Sequence, residues 1–355
     1  MKGRIAVLER FGERGAAALM VDGRLQDLWI DPAGGGALLP GAIHRAIAER
    51  PLKGQGGLFV RLAGGARGFL RQGKGLSPGQ PLLVQIAATA ESGKAPPVTV
   101  RLMFKGRFAI LTPGAAGRNI SRAIKSEAER DRLAEIAHDA LSGAPDDLGA
   151  ILRSAADGCD GDAITDEINA LLNTCNAVLG DGQGAEPELL LDAPGAQERA
   201  WRDWTCPAPE QVFSESGSFT AHAVWDEIDA LRRPDVVLGA QAFMFIEPTR
   251  ALIAIDVNTG GDFSPSAGLK ANLAAVRELP RQLRLRGLGG QIVIDCAPMP
   301  KKDRRTLEAT LRRALRDARD EMSVVGWTPL GHLELQRKCA RLPLRELLHG
   351  LPNNR

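Results

Sequence analysis

Two stretches decide the fold: Ala251-Leu-Ile-Ala-Ile-Asp256-Val-Asn258, and forty residues on, Gln291-Ile-Val-Ile-Asp295. Each is a short, largely apolar run; the first terminates in Asp-x-Asn and the second in an aspartate. Runs of this length and β-branched content predict buried strands. An aspartate at the end of such a run is expensive to bury unless it is paired or binds a metal. Strand side chains alternate, so Asp256 and Asn258 point to one face. If the two strands are neighbours, Asp256 and Asp295 converge at one sheet edge. A third run, Ala240 to Glu247, predicts another strand beside them. Two carboxylates and an amide make an all-oxygen donor set suited to Mg²⁺ or Mn²⁺. The glycines of Thr259-Gly260-Gly261-Asp262 would let backbone approach a phosphate, with Asp262 behind the site. The alternative reading is that both aspartates cap turns or helices.

Basic segments surround this centre. Ala267 to Arg286 carries Arg277, Arg281, Arg284 and Arg286, with Pro280 predicting a kink. Lys301 to Arg319 carries eight Lys/Arg, some paired along the helix as in Glu308–Arg312. Across the 355 residues the net charge is only +2, but it is divided: +9 over 39–113, −13 over 114–234 and +6 over 235–355. Basic blocks of this kind are the footprint expected for a polyanion partner.

The first basic block reads as a small barrel. Gly57–Leu62, Arg67–Leu70, Pro81–Ile86, Val98–Phe104 and Phe108–Leu111 are five strand-like runs separated by glycine and proline turns. Barrels of the five-stranded oligonucleotide-binding type stack bases on exposed aromatics and hold phosphates with Lys/Arg. Phe59 and Phe69 are the stacking candidates, with Arg61, Arg67, Lys94 and Arg107 around them. The competing reading puts both phenylalanines in the core.

Composition excludes several classes. Apolar residues are 44% and charged residues 25%, an ordinary globular balance rather than a disordered one. No apolar run approaches the roughly 18 residues of a membrane span, and the Gly15–Val21 stretch lacks a signal-peptide layout. A cytoplasmic protein is expected. The five cysteines contain no C-x-x-C and the five histidines are scattered, so no zinc site is expected.

Taken together, the run 251–262, Asn272-Leu, and Arg281-Gln-Leu-Arg-Leu-Arg-Gly-Leu-Gly-Gly through Asp295 resemble the core signature of the bacterial ribonuclease E/G family. Val21-Asp-Gly-Arg-Leu-Gln-Asp-Leu is similar to that family's N-terminal strand pair. Phe59 with Gly68-Phe69-Leu70 resembles its S1 barrel, and Asn119-Ile-Ser-Arg122 the start of its 5′-sensor region. The resemblance implies an α+β fold of several subdomains. An RNase H-like subdomain, 1–38 with 195–235, would hold an inserted S1 barrel of the OB-fold class, 39–113, and a 5′-sensor region, 114–194. A DNase I-like catalytic subdomain, 236–355, would follow.

The implied activity is Mg²⁺-dependent endoribonucleolytic hydrolysis of single-stranded RNA, leaving 5′-phosphate and 3′-hydroxyl ends in RNA processing or decay. Asp256 and Asp295 match the metal-binding pair and Asn258 the amide that orients the scissile phosphate. Phe59, Phe69, Lys94, Arg107 and Arg122 would bind RNA, and Arg153 with Ser154 falls where the family grips a 5′-monophosphate.

There are departures. The zinc-linking C-x-x-C and the small domain beyond it are missing from these residues, which leaves the oligomeric state open. Glu321 stands at the second phosphate-gripping arginine and would repel a 5′-phosphate. The loop between Asn258 and Asn272 is shorter than usual. The alternative functions are an RNA-binding regulator with weak or no catalysis, and a phosphodiesterase or DNA nuclease.

Overall fold

The computed structural model describes residues 3–351 apart from 52–55, 72, 74, 91, 92, 240 and 319. Ala240, where one predicted strand begins, and Arg319, at the end of the second basic segment, thus lie outside the described residues. The chain is mixed α+β and divides into two compact units: Met1–Phe11, Ala18–Leu28 and Phe213–Arg355, and Gly12–Ala17 with Trp29–Val212. Among the described residues no helix is long and apolar enough to cross a membrane.

The unit that contains the two aspartates is built on a six-stranded sheet. Its order is Asp235–Val237, Phe243–Pro248, Ile253–Asn258, Gly290–Asp295, Leu333–Arg337, Met322–Trp327. All three apolar runs read from the sequence are strands of this sheet. Ile253–Asn258 and Gly290–Asp295 are neighbours and run parallel, while the other pairs are antiparallel. A parallel pair needs a crossover, and the helix Ala267–Arg286 supplies it as one 20-residue element running through Pro280. Gly287 ends that helix in the left-handed conformation at φ 64°. A Cβ there would come within 2.1 Å of the Leu342 carbonyl oxygen, so only glycine fits.

The second basic segment becomes a short 3₁₀ turn, Lys301–Asp303, and the helix Arg304–Asp317. Leu307, Leu311 and Leu315 recur every four residues and are its buried stripe. They join Val276, Leu279 and Leu283 of the crossover helix and Met244, Ile246, Ile255, Val257, Ile292 and Ile294 of the sheet in a single core. Glu308 and Arg312 form the expected pair, at 3.8 Å.

The other unit contains a closed five-stranded β-barrel. Ile43–Pro51 pairs with both Leu58–Arg61 and Pro81–Ile86; Leu58–Arg61 continues to Arg67–Leu70, then Pro97–Thr99, which returns to Pro81–Ile86. Ala46, Leu58, Val60, Leu70, Val84 and Val98 fill it. The interior is tight: a Cβ on Gly68 would lie 2.6 Å from a Val98 methyl.

Two strands differ from the sequence reading. The fifth barrel strand is Ile43–Pro51, whereas the expected Phe108–Leu111 is the strand Ala109–Thr112 of a separate sheet. The expected run Val98–Phe104 is likewise divided: Pro97–Thr99 closes the barrel and Phe104–Lys105 joins that second sheet. The second sheet is completed by Gly149–Leu152 and Arg118–Ile120. It is covered by the helices Glu127–Ala140 and Gly161–Gly180, which bury Leu133, Ala137, Ile164 and Ile168. Ser126 and Asp160 cap these helices through Glu129 N and Ala163 N.

Candidate functional site

The parallel strand pair places Asp256 directly opposite Asp295 in register. Alternation does the rest: Ile253, Ile255 and Val257 point into the core, and Asp256 and Asn258 point away from it. Ile292 and Ile294 are likewise buried, and Asp295 is 66% exposed on the open face. The runs are buried, but on one side only, and the aspartates stand at the solvated end of the other. Neither caps a helix.

Asn258 Nδ2 donates to Asp256 Oδ2 at 2.8 Å, which fixes that carboxylate. The segment after Asp295 is fixed from the crossover helix. Asn272 is buried, donates to the Ala297 carbonyl at 2.9 Å and accepts from the Ala297 N–H at 2.9 Å. A Cβ on Gly268 would lie 1.9 Å from Pro298 O, so the helix start and the strand end approach as closely as backbone allows. Gly260 serves packing too: at φ 62°, its Cβ would meet the Gln241 carbonyl at 2.2 Å. Asp262 turns to its own loop and accepts from Ser264 N at 2.8 Å. That bond holds its carboxyl below the ordinary range.

Three groups near the aspartates were not foreseen. Gly290–Asp295 pairs with Leu333–Arg337 up to Ile294 opposite Leu333. The next residue outward is His332, whose Nδ1 lies 3.4 Å from Asp295 Oδ1. On the far side of Asp256, Phe245 is its register partner and Phe243 is that of Asn258. The row across the sheet is thus Phe245, Asp256, Asp295, His332. Cys296, next along, has its thiol pushed up to about 12 by burial and by Asp295, with Arg304 opposing. Arg304 itself lies 4.2 Å over the Trp327 ring.

The donor set fits a hard divalent cation. Asp256 and Asp295 each keep a carboxylate oxygen with no partner among the described residues, and every donor is oxygen. Among the described residues no three His, Cys, Asp or Glu side chains form a closed cage. Two carboxylates with room for water and phosphate oxygens are a donor set that could hold a hard divalent cation.

In the barrel unit, Phe59 and Phe69 are register partners with ring centroids 5.5 Å apart. They are half-buried and stand outside the barrel core. Gly57 makes room for them, since its Cβ would lie 2.7 Å from the Phe69 ring. Arg67 lies 4.4 Å over the Phe59 ring and is ion-paired with Glu49. Lys94 is exposed in the turn before Pro97, the register partner of Phe69.

Arg107 is placed differently. Its guanidinium lies 4.1 Å over the ring of Trp201, a 68% exposed residue that the sequence reading did not single out. Arg122 is exposed, with no partner among the described residues. Arg153 is engaged: it donates to the Gly106 and Arg202 carbonyls and pairs with Asp203 at 3.0 Å. Ser154 opens the 3₁₀ turn Ser154–Ala156. Burial raises the Asp203 carboxyl, but Arg202 and Arg153 outweigh it and hold it below its ordinary value. Glu321 belongs to the other unit and pairs with Lys338 at 3.3 Å.

Comparison with known proteins gives a consistent relationship. The model of the Ribonuclease E/G family matches residues 103–223 and 210–340. Ribonuclease E of Nostoc sp. (strain PCC 7120) is 30% identical over 302 residues, covering 74% of this chain and 43% of the relative. Ribonuclease E of Synechocystis sp. (strain PCC 6803) is 30% identical over 311 residues, covering 77% and 46%. Ribonuclease G of Escherichia coli (strain K12) is 27% identical over 306 residues, covering 76% and 62%. The matched part of the chain thus spans about half the length of these relatives.

Proposed function

The chain belongs to the ribonuclease E/G family, and from that premise we propose that it is a divalent-cation-dependent endoribonuclease acting on single-stranded RNA. It would leave 5′-phosphate and 3′-hydroxyl ends and serve RNA processing or decay in the cytoplasm. The observation that carries this reading is the register pairing of Asp256 with Asp295 on the open face of the sheet.

Asp256 and Asp295 would hold Mg²⁺, or Mn²⁺ in its place. When bound, such an ion neutralises charge on a phosphoryl group and makes a water more acidic. Asn258 keeps Asp256 in one rotamer through its amide, and its second N–H remains available to a phosphate oxygen. In the other unit Phe59 and Phe69 would stack unpaired bases, while Lys94, Arg107 and Arg122 meet the backbone. The closed barrel is consistent with an S1 domain. The assignment of 1–38 with 195–235 as RNase H-like, 114–194 as a 5′-sensor region and 236–355 as DNase I-like belongs to the same proposal.

The test is incubation of purified protein with an end-labelled single-stranded RNA, in Mg²⁺ or in EDTA, beside the Asp256→Asn variant. Internal cuts that need Mg²⁺ and fall at least ~10²-fold in the variant, with RNA binding kept, are expected. RNA retained without cutting by the wild type would replace the nuclease with an RNA-binding regulator.

A further inference from the structure

The strand Phe243–Pro248 alternates as the neighbouring strands do. Met244 and Ile246 enter the core, while Phe243 and Phe245 emerge on the face that carries the carboxylates. Both phenylalanines are half-buried and neither belongs to the hydrophobic core. Phe243 is the register partner of Asn258 and Phe245 that of Asp256. Neighbouring strands lie roughly 5 Å apart, so the two rings sit one strand away from the proposed metal ligands. Their centroids are 5.5 Å apart at an interplanar angle of 77°.

Half-buried rings beside two carboxylates keep part of their faces in water, and that part gains nothing from the fold, because burial is what stabilises a phenylalanine. They gain from a flat, apolar ligand whose charged part is held next door. An unpaired nucleotide is that ligand: its phosphate would reach Asp256 and Asp295 through the cation proposed there, and its base presents a π-face. The barrel pair Phe59–Phe69 likewise stands outside its core, with centroids 5.5 Å apart.

We infer that Phe243 and Phe245 form a nucleobase-stacking subsite that receives the bases flanking the phosphate to be cut. The subsite rests on the nuclease reading above and deepens it. It would set which unpaired bases are accepted next to the cleavage point, since purines and pyrimidines offer different stacking areas.

The experiment uses the full chain in Ca²⁺, which also takes oxygen ligands, and follows fluorescence anisotropy of a labelled unstructured RNA that a gel shows to be intact afterwards. The RNA is used intact and with abasic residues replacing its central nucleotides. Phe243→Leu and Phe245→Leu keep apolar bulk and remove the ring; Phe245→Trp keeps a ring. Each leucine variant is expected to bind intact RNA about tenfold more weakly. Abasic RNA should be bound alike by all proteins, and the tryptophan variant should match the wild type on intact RNA. Leucine variants that bind intact RNA as the wild type does, or that lose as much on abasic RNA, would overturn the subsite. Wild-type cutting of the same RNA in Mg²⁺ is scored separately. Its absence would overturn the nuclease reading, while the anisotropy comparison still decides the subsite.

Discussion

Asp320 and Arg337 close a two-point ion pair, Oδ1 with Nε at 2.8 Å and Oδ2 with Nη2 at 2.9 Å, between side chains only 3% and 8% exposed. Arg337 also donates to the Leu288 carbonyl. The pair thereby ties the end of the strand Leu333–Arg337 to the turn that leads into Gly290–Asp295. Removing one partner strands a buried charge, which is far more damaging than the pair is stabilising. Asp320→Ala is expected to lower stability by about 3–5 kcal/mol in urea unfolding. A loss below about 1 kcal/mol would place this pair with weakly coupled surface pairs.

The opposite end of that strand carries His332. Its Nδ1 is buried without a hydrogen-bond partner among the described residues and lies 3.4 Å from Asp295 Oδ1, so the imidazole flanks that carboxylate on the side away from Asp256. Partners that orient a ligating group typically contribute ~10–100-fold to metal affinity or activity. His332→Ala is therefore expected to raise the Mn²⁺ concentration for half-saturation about tenfold, read by calorimetry without RNA. His332→Asn, which keeps a donor, should recover most of it. An unchanged Mn²⁺ titration in the alanine variant would show that Asp295 orients itself.

The aspartates were legible because burial makes an acid at the end of Ile-Ala-Ile or Ile-Val-Ile conspicuous, and the two-residue period fixed the face of Asn258. His332 was not legible. It follows Gly331 in a turn, outside any periodic run, and reaches Asp295 only through the pairing of strands distant in sequence. Phe243 and Phe245 lie in a run that was read correctly as a strand, but their face depended on which neighbour it paired with. The same nonlocal pairing separated Ala109–Thr112 from the barrel. Its replacement, Ile43–Pro51, hides the strand signal because six consecutive residues are buried, Arg45 among them, held by the Asp181 and Glu186 carbonyls and by Glu188.

Arg153 bears on recognition of RNA ends. Its guanidinium is already occupied by Asp203 and two carbonyls, and Glu321, read from the sequence at the second phosphate-gripping position, adds no positive charge. A 5′-monophosphate would have to displace Asp203 to be gripped. RNAs with 5′-monophosphate and 5′-hydroxyl ends are expected to be cut at indistinguishable rates in parallel time courses. Charge-assisted hydrogen bonds to the phosphate would instead favour the monophosphate by more than about tenfold, at ~1.5–3 kcal/mol.

His44 gives the barrel unit a pH dependence. It lies on Ile43–Pro51 at 0% exposure, with Nε2 donating to the Ala37 carbonyl at 2.6 Å and Nδ1 buried without a partner among the described residues. Burial lowers its pKa below 6.5, against the smaller opposing pulls of that carbonyl and Asp192. Below pH 6.5 the unfolded chain therefore takes up a proton that the folded imidazole resists. Stability falls as pH drops from 6.5 toward the depressed folded value, by at most about 1.4 kcal/mol per pH unit for this group, and levels off beneath it. His44→Gln keeps an N–H for Ala37 and cannot titrate. Between pH 7.5 and 5.5 the urea midpoint of the wild type is expected to fall further than that of the variant. Carboxylate titration is common to both proteins, so the difference between the two slopes isolates the imidazole. Parallel slopes would mean that His44 is protonated as readily in the fold as in water, which its buried, unpartnered Nδ1 argues against.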